Sequence, residues 1–311
     1  MVFFYTSNNC NLVGKLLLMK LVMKISVSII ASILFIFCTS EKNKIQAQNQ
    51  KKEFKDYWYQ GKAEITSYKL KQSRYGEVYE GTAVNIFVTE DFLPEKQVKA
   101  DVKSKSTIPV LKLNSTKKFV TGIYPYSLMT STFSPINSDK KTIKISFSSQ
   151  EWCGNTFAQL NNREKFEIDF HSYFENNTDR KIGLKKDILE NELWNQLRLN
   201  PKNITIGRMK IIPSFEYLAL NHKRIMAYDA ETSLKEIKGF LYFSIFYPTL
   251  KRKLTIKLTK EFPYTIESWE EFLTINNIKL TTSATKIKTI LSPYWRKNKK
   301  GNTEERKALG L

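Results

Sequence analysis

The alternation of apolar and polar positions is the clearest pattern in the chain. Thr142-Ile-Lys-Ile-Ser-Phe147 places Ile143, Ile145 and Phe147 on one face and Lys144 and Ser146 on the other, and Lys253-Leu-Thr-Ile-Lys-Leu258 alternates with strict period two. Ala63-Glu-Ile-Thr-Ser-Tyr-Lys-Leu70 alternates more crudely. Ala83-Val-Asn-Ile-Phe-Val88 is β-branched and aromatic, and Phe240-Leu-Tyr-Phe-Ser-Ile-Phe-Tyr247 runs until Pro248-Thr249 breaks it. Successive side chains of a strand point to opposite faces, so period-two segments separated by short turns predict an antiparallel sheet wet on one side. One segment departs from this rhythm. Leu184, Ile188, Leu189, Leu193, Trp194 and Leu197 recur at helical spacing, Asp187 and Glu190 come early, and Arg198 and Pro201 close the run. That pattern predicts a helix of about three to four turns over 184–199.

The fold class that follows is mainly β, a β-rich α+β arrangement: a curved antiparallel sheet or half-barrel with one helix packed near 184–199. No Pro or Gly cluster marks a boundary inside 57–292, which favours a single domain there; two separate halves would join near 184–203. Residues 293–311 read as a basic tail, Arg296-Lys-Asn-Lys-Lys300, followed by a short helix at Thr303–Leu309.

Ahead of the strands the composition changes. Ile25–Phe37 holds thirteen residues without a charge, preceded by Lys15, Lys20 and Lys24 and by no acid. A basic segment before an apolar run of this length predicts a signal peptide over 1–37. At ~1.5 Å per residue the run spans about 20 Å, short of the ~30 Å hydrocarbon core. Met19 and Met23 lie just before it, so residues 1–22 are compatible with a start further along the chain. Cys38 directly follows the run and resembles the lipidated cysteine of a bacterial lipoprotein. Cleavage after Ala47 would instead release a soluble protein, and an uncleaved anchor is the third reading. All three place the folded part outside the cytosol. Residues 38–56, rich in Lys, Gln, Asn and Glu, bury too little to offset ordering entropy and read as a flexible tether.

Charge narrows the partners. The 311 residues carry 50 Lys+Arg against 30 Asp+Glu, a net charge of +20. An exported chain does not meet nucleic acid, so the basic surface points to a membrane, reached through the lipid anchor, and to anionic lipid or acidic polysaccharide. Two histidines and three cysteines at scattered spacings give no metal set, no cofactor attachment site and no disulfide framework.

Candidate chemistry is sparse. Cys153, in Gln150-Glu-Trp-Cys-Gly154, with His171 eighteen residues later, admits a Cys–His nucleophile, but a lone cysteine on a strand is more often a small buried apolar residue. Glu77 and Glu80, Glu90-Asp91, and Glu267, Glu270 and Glu271 around Trp269 are the candidate carboxylate pairs, with a solvated face as the alternative. No phosphate-binding Gly loop, G-x-S-x-G elbow or H-E-x-x-H occurs. A non-enzymatic binding or structural protein is therefore favoured over an envelope hydrolase using Cys153 or a carboxylate pair. Trp58, Tyr126, Trp152, Tyr247 and Trp269 are the aromatics expected to line a ligand groove.

Trp58-Tyr-Gln-Gly-Lys-Ala, Arg74-Tyr-Gly-Glu77, Glu80-Gly-Thr-Ala83, Phe87-Val-Thr-Glu-Asp-Phe92, Gly122-Ile-Tyr-Pro-Tyr126, Gln150-Glu-Trp-Cys-Gly154 and the ending Leu309-Gly-Leu311 resemble a family of exported Bacteroidetes proteins, many labelled "septum formation inhibitor Maf". The resemblance implies an envelope location and supplies no catalytic residues. The chain lacks the Ser-x-Ser-x-Arg-Arg element that opens the Maf nucleotide pyrophosphatases. Tyr247-Pro-Thr-Leu-Lys-Arg-Lys-Leu-Thr-Ile256, followed by Phe262-Pro-Tyr264 and Trp269, is similar to the late strands of exported half-barrel proteins, which implies a curved sheet clasping a helix and room for an acyl chain.

Overall fold

The computed structural model of the chain describes residues 51–136, 141–275 and 277–311. The segment expected to be a signal peptide, residues 1–37, together with Cys38 and the expected cleavage point after Ala47, lies outside them. Contacts divide the chain into two units, Met1–Tyr57 and Trp58–Leu311. In the first, the described residues are helical, part of a helix over 51–58. The tether expected at 38–56 is thus helical where it is described, because Phe54 and Tyr57 sit three apart and give the helix an apolar side.

Among the described residues the second unit holds sixteen strands in one sheet. They are β1 (Ala63–Arg74), β2 (Glu77–Leu93), β3 (Val98–Lys99), β4 (Ile108–Thr121), β5 (Tyr124–Pro135), β6 (Lys144–Glu151), β7 (Gly154–Asn162) and β8 (Phe166–Ser172). Then follow β9 (Arg180–Leu184), β10 (Ile188–Leu189), β11 (Gly207–Ile212), β12 (Tyr228–Ile237), β13 (Phe240–Tyr247), β14 (Arg252–Thr259), β15 (Ile266–Ile275) and β16 (Ile278–Ser292). The helices are α1 (Glu190–Leu199), α2 (Phe215–Leu220) and α3 (Glu304–Ala308). The fold is mainly β, as the alternation predicts.

The chain enters this sheet in its middle. β1 pairs with β16 on one side (Ala63 opposite Ser292) and with β2 on the other (Arg74 opposite Glu77). From there β2 and β4–β9 meander to one edge, with β3 hanging on β2. Residues 185–187 step across, β10 pairs in parallel with β11, and β11–β16 meander back to the centre. β9 and β10 are the two edges, so the curved sheet stays open.

α1 occupies the inside of that curve. Glu190, Asn191, Glu192, Leu193, Asn195, Leu197 and Arg198 are all buried, which no one-sided surface helix would allow. Leu193 and Leu197 each contribute about 1.5–3 kcal/mol by burial. The helix begins at Glu190, not at 184: Leu184 ends β9, and Ile188 and Leu189 pair with Ile211 and Ile212. Strand pairing at the sheet edge overrides the helical periodicity of those residues. Glu192 then sets the start, its Oε1 accepting the Leu189 N–H at 3.1 Å.

α2 interrupts the strands where the alternation predicts no helix. Ser214 caps it by accepting the Tyr217 N–H at 3.3 Å, and Phe215, Leu218 and Ala219 pack on Ile145, Phe147, Ala158, Leu160, Ile168 and Phe170 of β6–β8. Pro213-Ser214 before an apolar run is the signature that marks it.

Candidate functional site

Where α1 begins, the sheet and helix do not fill the space between them. A cavity of about 390 Å³ remains, walled by Trp194 and Asn191 of α1, Trp269, Glu271 and Leu273 of β15, Arg252 and Leu254 of β14, Leu113 and Lys117 of β4, and Thr130 and Thr132 of β5. Trp194 meets Trp269 edge to face, ring centroids 5.4 Å apart. Three turns surround the mouth: Tyr75-Gly76 between β1 and β2, the β15–β16 hairpin with Ile275 and Ile278, and Leu220-Asn221 at the end of α2. Two-residue hairpin turns need left-handed backbone, and both Tyr75 (φ 54) and Gly76 (φ 85) adopt it. Glycine does so without strain; tyrosine does not.

The cavity's charges are mostly paired. Arg252 is fully buried and grips Glu190 with both terminal nitrogens, Nη1 to Oε2 at 2.5 Å and Nη2 to Oε1 at 2.8 Å, while its Nε donates to Glu271 at 2.9 Å. It lies 4.2 Å over the Tyr217 ring, and Tyr247 donates its hydroxyl to Glu190 at 2.7 Å. Burial works to raise the Glu190 pKa, but the Arg252 guanidinium outweighs it and holds the carboxyl below its ordinary value. Burial opposes the Arg252 charge, yet Glu190 and Glu271 lift its pKa well above the usual arginine value. Lys117 reaches Glu216 at 2.6 Å. Held below its ordinary value by Arg252, the Glu190 carboxyl is ionised at neutral pH and is not a general acid there.

A second, smaller space of about 140 Å³ lies along α1, lined by Ser134, Thr142, Glu192, Gln196 and Asn203. Burial raises the Glu192 pKa against the hydrogen bonds from the Thr142 and Leu189 N–H groups.

Of the five aromatics singled out from the sequence, Trp269 lines the cavity. Tyr247 stands behind the wall on Glu190, and Tyr126 behind the mouth, hydrogen bonded to Tyr75 at 2.7 Å. Trp58 is buried elsewhere, 5.2 Å from the Arg198 guanidinium and edge-on to Phe87. Trp152 is 68% exposed at the β6–β7 turn, against Tyr124, and lines neither of the two spaces. The turn also corrects the reading of Cys153, which is exposed and not a buried apolar residue. Glu151 beside it pushes the thiol pKa up, the wrong direction for a nucleophile. His171 stacks on Phe157 and pairs with Asp179 at 3.4 Å. Of the carboxylates around Trp269, Glu271 is bound to Arg252 and Glu267 to Lys286. Among the described residues no group of three or more His, Cys, Asp or Glu could hold a metal ion, and no helix is long and apolar enough to cross a membrane.

The residues that build this cavity and were not singled out are Arg74, Trp194, Tyr217 and Arg252. Trp194 was legible as part of the helix stripe; Arg74, Tyr217 and Arg252 come together only because β1, α2 and β14 converge. No protein-family model and no curated protein matches the chain. Among solved structures, a beta-barrel-like protein of domain of unknown function DUF1849 from Brucella abortus aligns with 74% of this chain and 98% of its own length, at 9% identity and a TM-score of 0.47.

Proposed function

We propose that this is a non-enzymatic binding protein of the cell envelope, exported and lipid-anchored through Cys38 or released after Ala47, that holds an apolar or amphipathic ligand in the cavity beside α1. The single observation that carries the reading is the cavity itself. Its volume lies in the range of small-ligand sites, ~300–1,000 Å³, and Trp194, Trp269, Leu113, Leu254 and Leu273 wall it. The basic, acid-free segment before Ile25 and the cysteine after Phe37 support the envelope location, as does the likeness to exported Bacteroidetes proteins. The net charge of +20 favours a negatively charged membrane as the surface the protein works beside.

The test is uptake of N-phenyl-1-naphthylamine, a neutral apolar dye that fluoresces when it leaves water, by the full chain. Saturable uptake at one site, displaced by dodecanol and lost in Thr130→Phe, which fills the cavity, is the expected result. Uptake that never saturates, or that Thr130→Phe leaves intact, would refute ligand holding at this site.

A further inference from the structure

We propose that Arg74 and its neighbours at the cavity mouth receive the anionic headgroup, a carboxylate or a phosphate, of a single-chain amphiphile whose tail lies against the contacting rings of Trp194 and Trp269. This rests on the cavity being a ligand site and adds the ligand's chemical class.

Three cations line the cavity. Lys117 is engaged by Glu216, and Arg252 by Glu190 and Glu271. Arg74 forms no ion pair with any described carboxylate. Its Nη1 donates to the Leu220 carbonyl at 2.5 Å, and its Nη2 reaches only the hydroxyls of Tyr75 at 3.4 Å and Tyr126 at 3.5 Å. Its Nε is buried and has no partner. The two residues before it share that condition: Ser73 Oγ and Gln72 Oε1 are buried without a hydrogen bond, and all three residues line the cavity. Buried polar atoms are nearly always satisfied, and leaving one unmet costs more than a made bond returns. Three consecutive residues beside one cavity thus carry polar atoms open to a further partner, and they form the polar side of the proposed binding surface. Arg74 supplies the cation and its Nε a donor for an anion, and Gln72 Oε1, on the same face of β1, can accept from a hydroxyl beside it.

The local backbone agrees. The two-residue hairpin turn sets Tyr75 in left-handed conformation. Here the Arg74 guanidinium lies 4.4 Å over its ring, and its hydroxyl meets Tyr126 at 2.7 Å and Tyr124 at 3.3 Å. These contacts fix Arg74 in place before any ligand arrives, which lowers the ordering cost of binding. Burial disfavours the charge on Arg74, but the Tyr126 and Tyr75 contacts outweigh it and raise its pKa, so the cation persists. Leu254, Trp269 and Trp194 share the remaining walls with the closed pairs Arg252–Glu190 and Lys117–Glu216. One cation without a carboxylate, among apolar side chains and charges that are already paired, matches an amphiphile with one charged end.

Four twelve-carbon probes separate the possibilities: dodecanoate, dodecyl phosphate, dodecanol and dodecyltrimethylammonium, each titrated against the full chain with the tryptophan emission as readout. At least one anionic probe is expected to bind tenfold or more tightly than dodecanol, with the cationic probe weakest. The better anion identifies carboxylate or phosphate as the preferred headgroup. Arg74→Gln should weaken that anion tenfold or more while leaving dodecanol within about twofold, and Arg74→Lys should retain part of the preference. Anions and dodecanol binding equally to the parent chain would overturn the headgroup assignment while the cavity reading survives. No binding of any probe would overturn both, and the discrimination by the parent chain is decisive even if a variant fails to fold.

Discussion

The two ends of α1 are fastened by the same device with opposite surroundings. At its first residue, Glu190 is gripped by Arg252 of β14; at its last turn, Arg198 grips Glu64 of β1 through 2.5 and 2.6 Å bonds. Each charge complements the helix dipole at its own end, acid at the N-terminus and base at the C-terminus. The C-terminal pair is packed dry, with Arg198 lying 5.2 Å from Trp58 and 4.6 Å from Phe87. The N-terminal pair is a cavity wall, and Arg252 has a second carboxylate in Glu271, which is partly exposed. Identical chemistry thus serves as a rivet at one end and as the polar lining of a ligand space at the other. Packing around the pair, and not the pair, makes the difference.

Breaking the dry end should have the largest effect. Arg198→Met leaves Glu64 buried beside Trp58 and Phe87 without its arginine, and should lower the unfolding free energy by about 3–5 kcal/mol. The double variant Arg198→Met/Glu64→Leu should recover most of that loss, because well-packed apolar residues can replace a buried pair at little cost. Urea denaturation checks both; a double variant no better than the single would mean that the pair itself holds the helix. Glu190→Gln at the cavity end should cost less, about 1–3 kcal/mol, since Arg252 keeps Glu271.

The tryptophans sharpen the same contrast. Trp58→Ala empties a filled site and should cost about 3–5 kcal/mol, whereas Trp194 already borders open space, so Trp194→Ala should cost about half as much. Equal losses in denaturant melts would show that the cavity end is packed as tightly as the dry end.

Two buried carboxylates of α1 should respond to pH in opposite senses. The folded pKa of Glu190 lies below its unfolded value, so its contribution is present above about pH 4.3 and is lost as pH falls through the folded pKa. The Glu192 pKa is raised, so its contribution is present below about pH 4.3 and is lost as pH rises through the folded value. Denaturation midpoints followed from acid to neutral pH should therefore rise less steeply in Glu190→Gln than in the parent, and fall less steeply in Glu192→Gln. A Glu192→Gln series parallel to the parent would refute the second half.

The smallest effect belongs to Cys153. Its exposed turn predicts no change in the denaturation midpoint for Cys153→Ser. Alkylation of the native thiol should go to completion, but more slowly at neutral pH than for an unperturbed cysteine, because Glu151 opposes the thiolate. A midpoint shift would mean that the β6–β7 turn is packed against something after all.

Local periodicity suffices to read the strands and the presence of the central helix. Ile143, Ile145 and Phe147, or Leu254, Ile256 and Leu258, can bury only one face of a strand, and Leu193, Trp194 and Leu197 share one side of a helix. These are local periodicities, legible without partners. The tertiary structure alone decided where that helix starts, because Ile188 and Leu189 take their conformation from Ile211 and Ile212 across the sheet edge. It also decided which aromatics meet the cavity. Trp152 and Trp269 look alike as isolated residues, yet one stands on an exposed turn and the other faces Trp194 inside the curve. The paired charges were the least legible of all. Glu64 and Arg198 are separated by 134 positions and Glu190 and Arg252 by 62, and nothing in a sequence marks one acid among thirty as the one that a distant strand will close around.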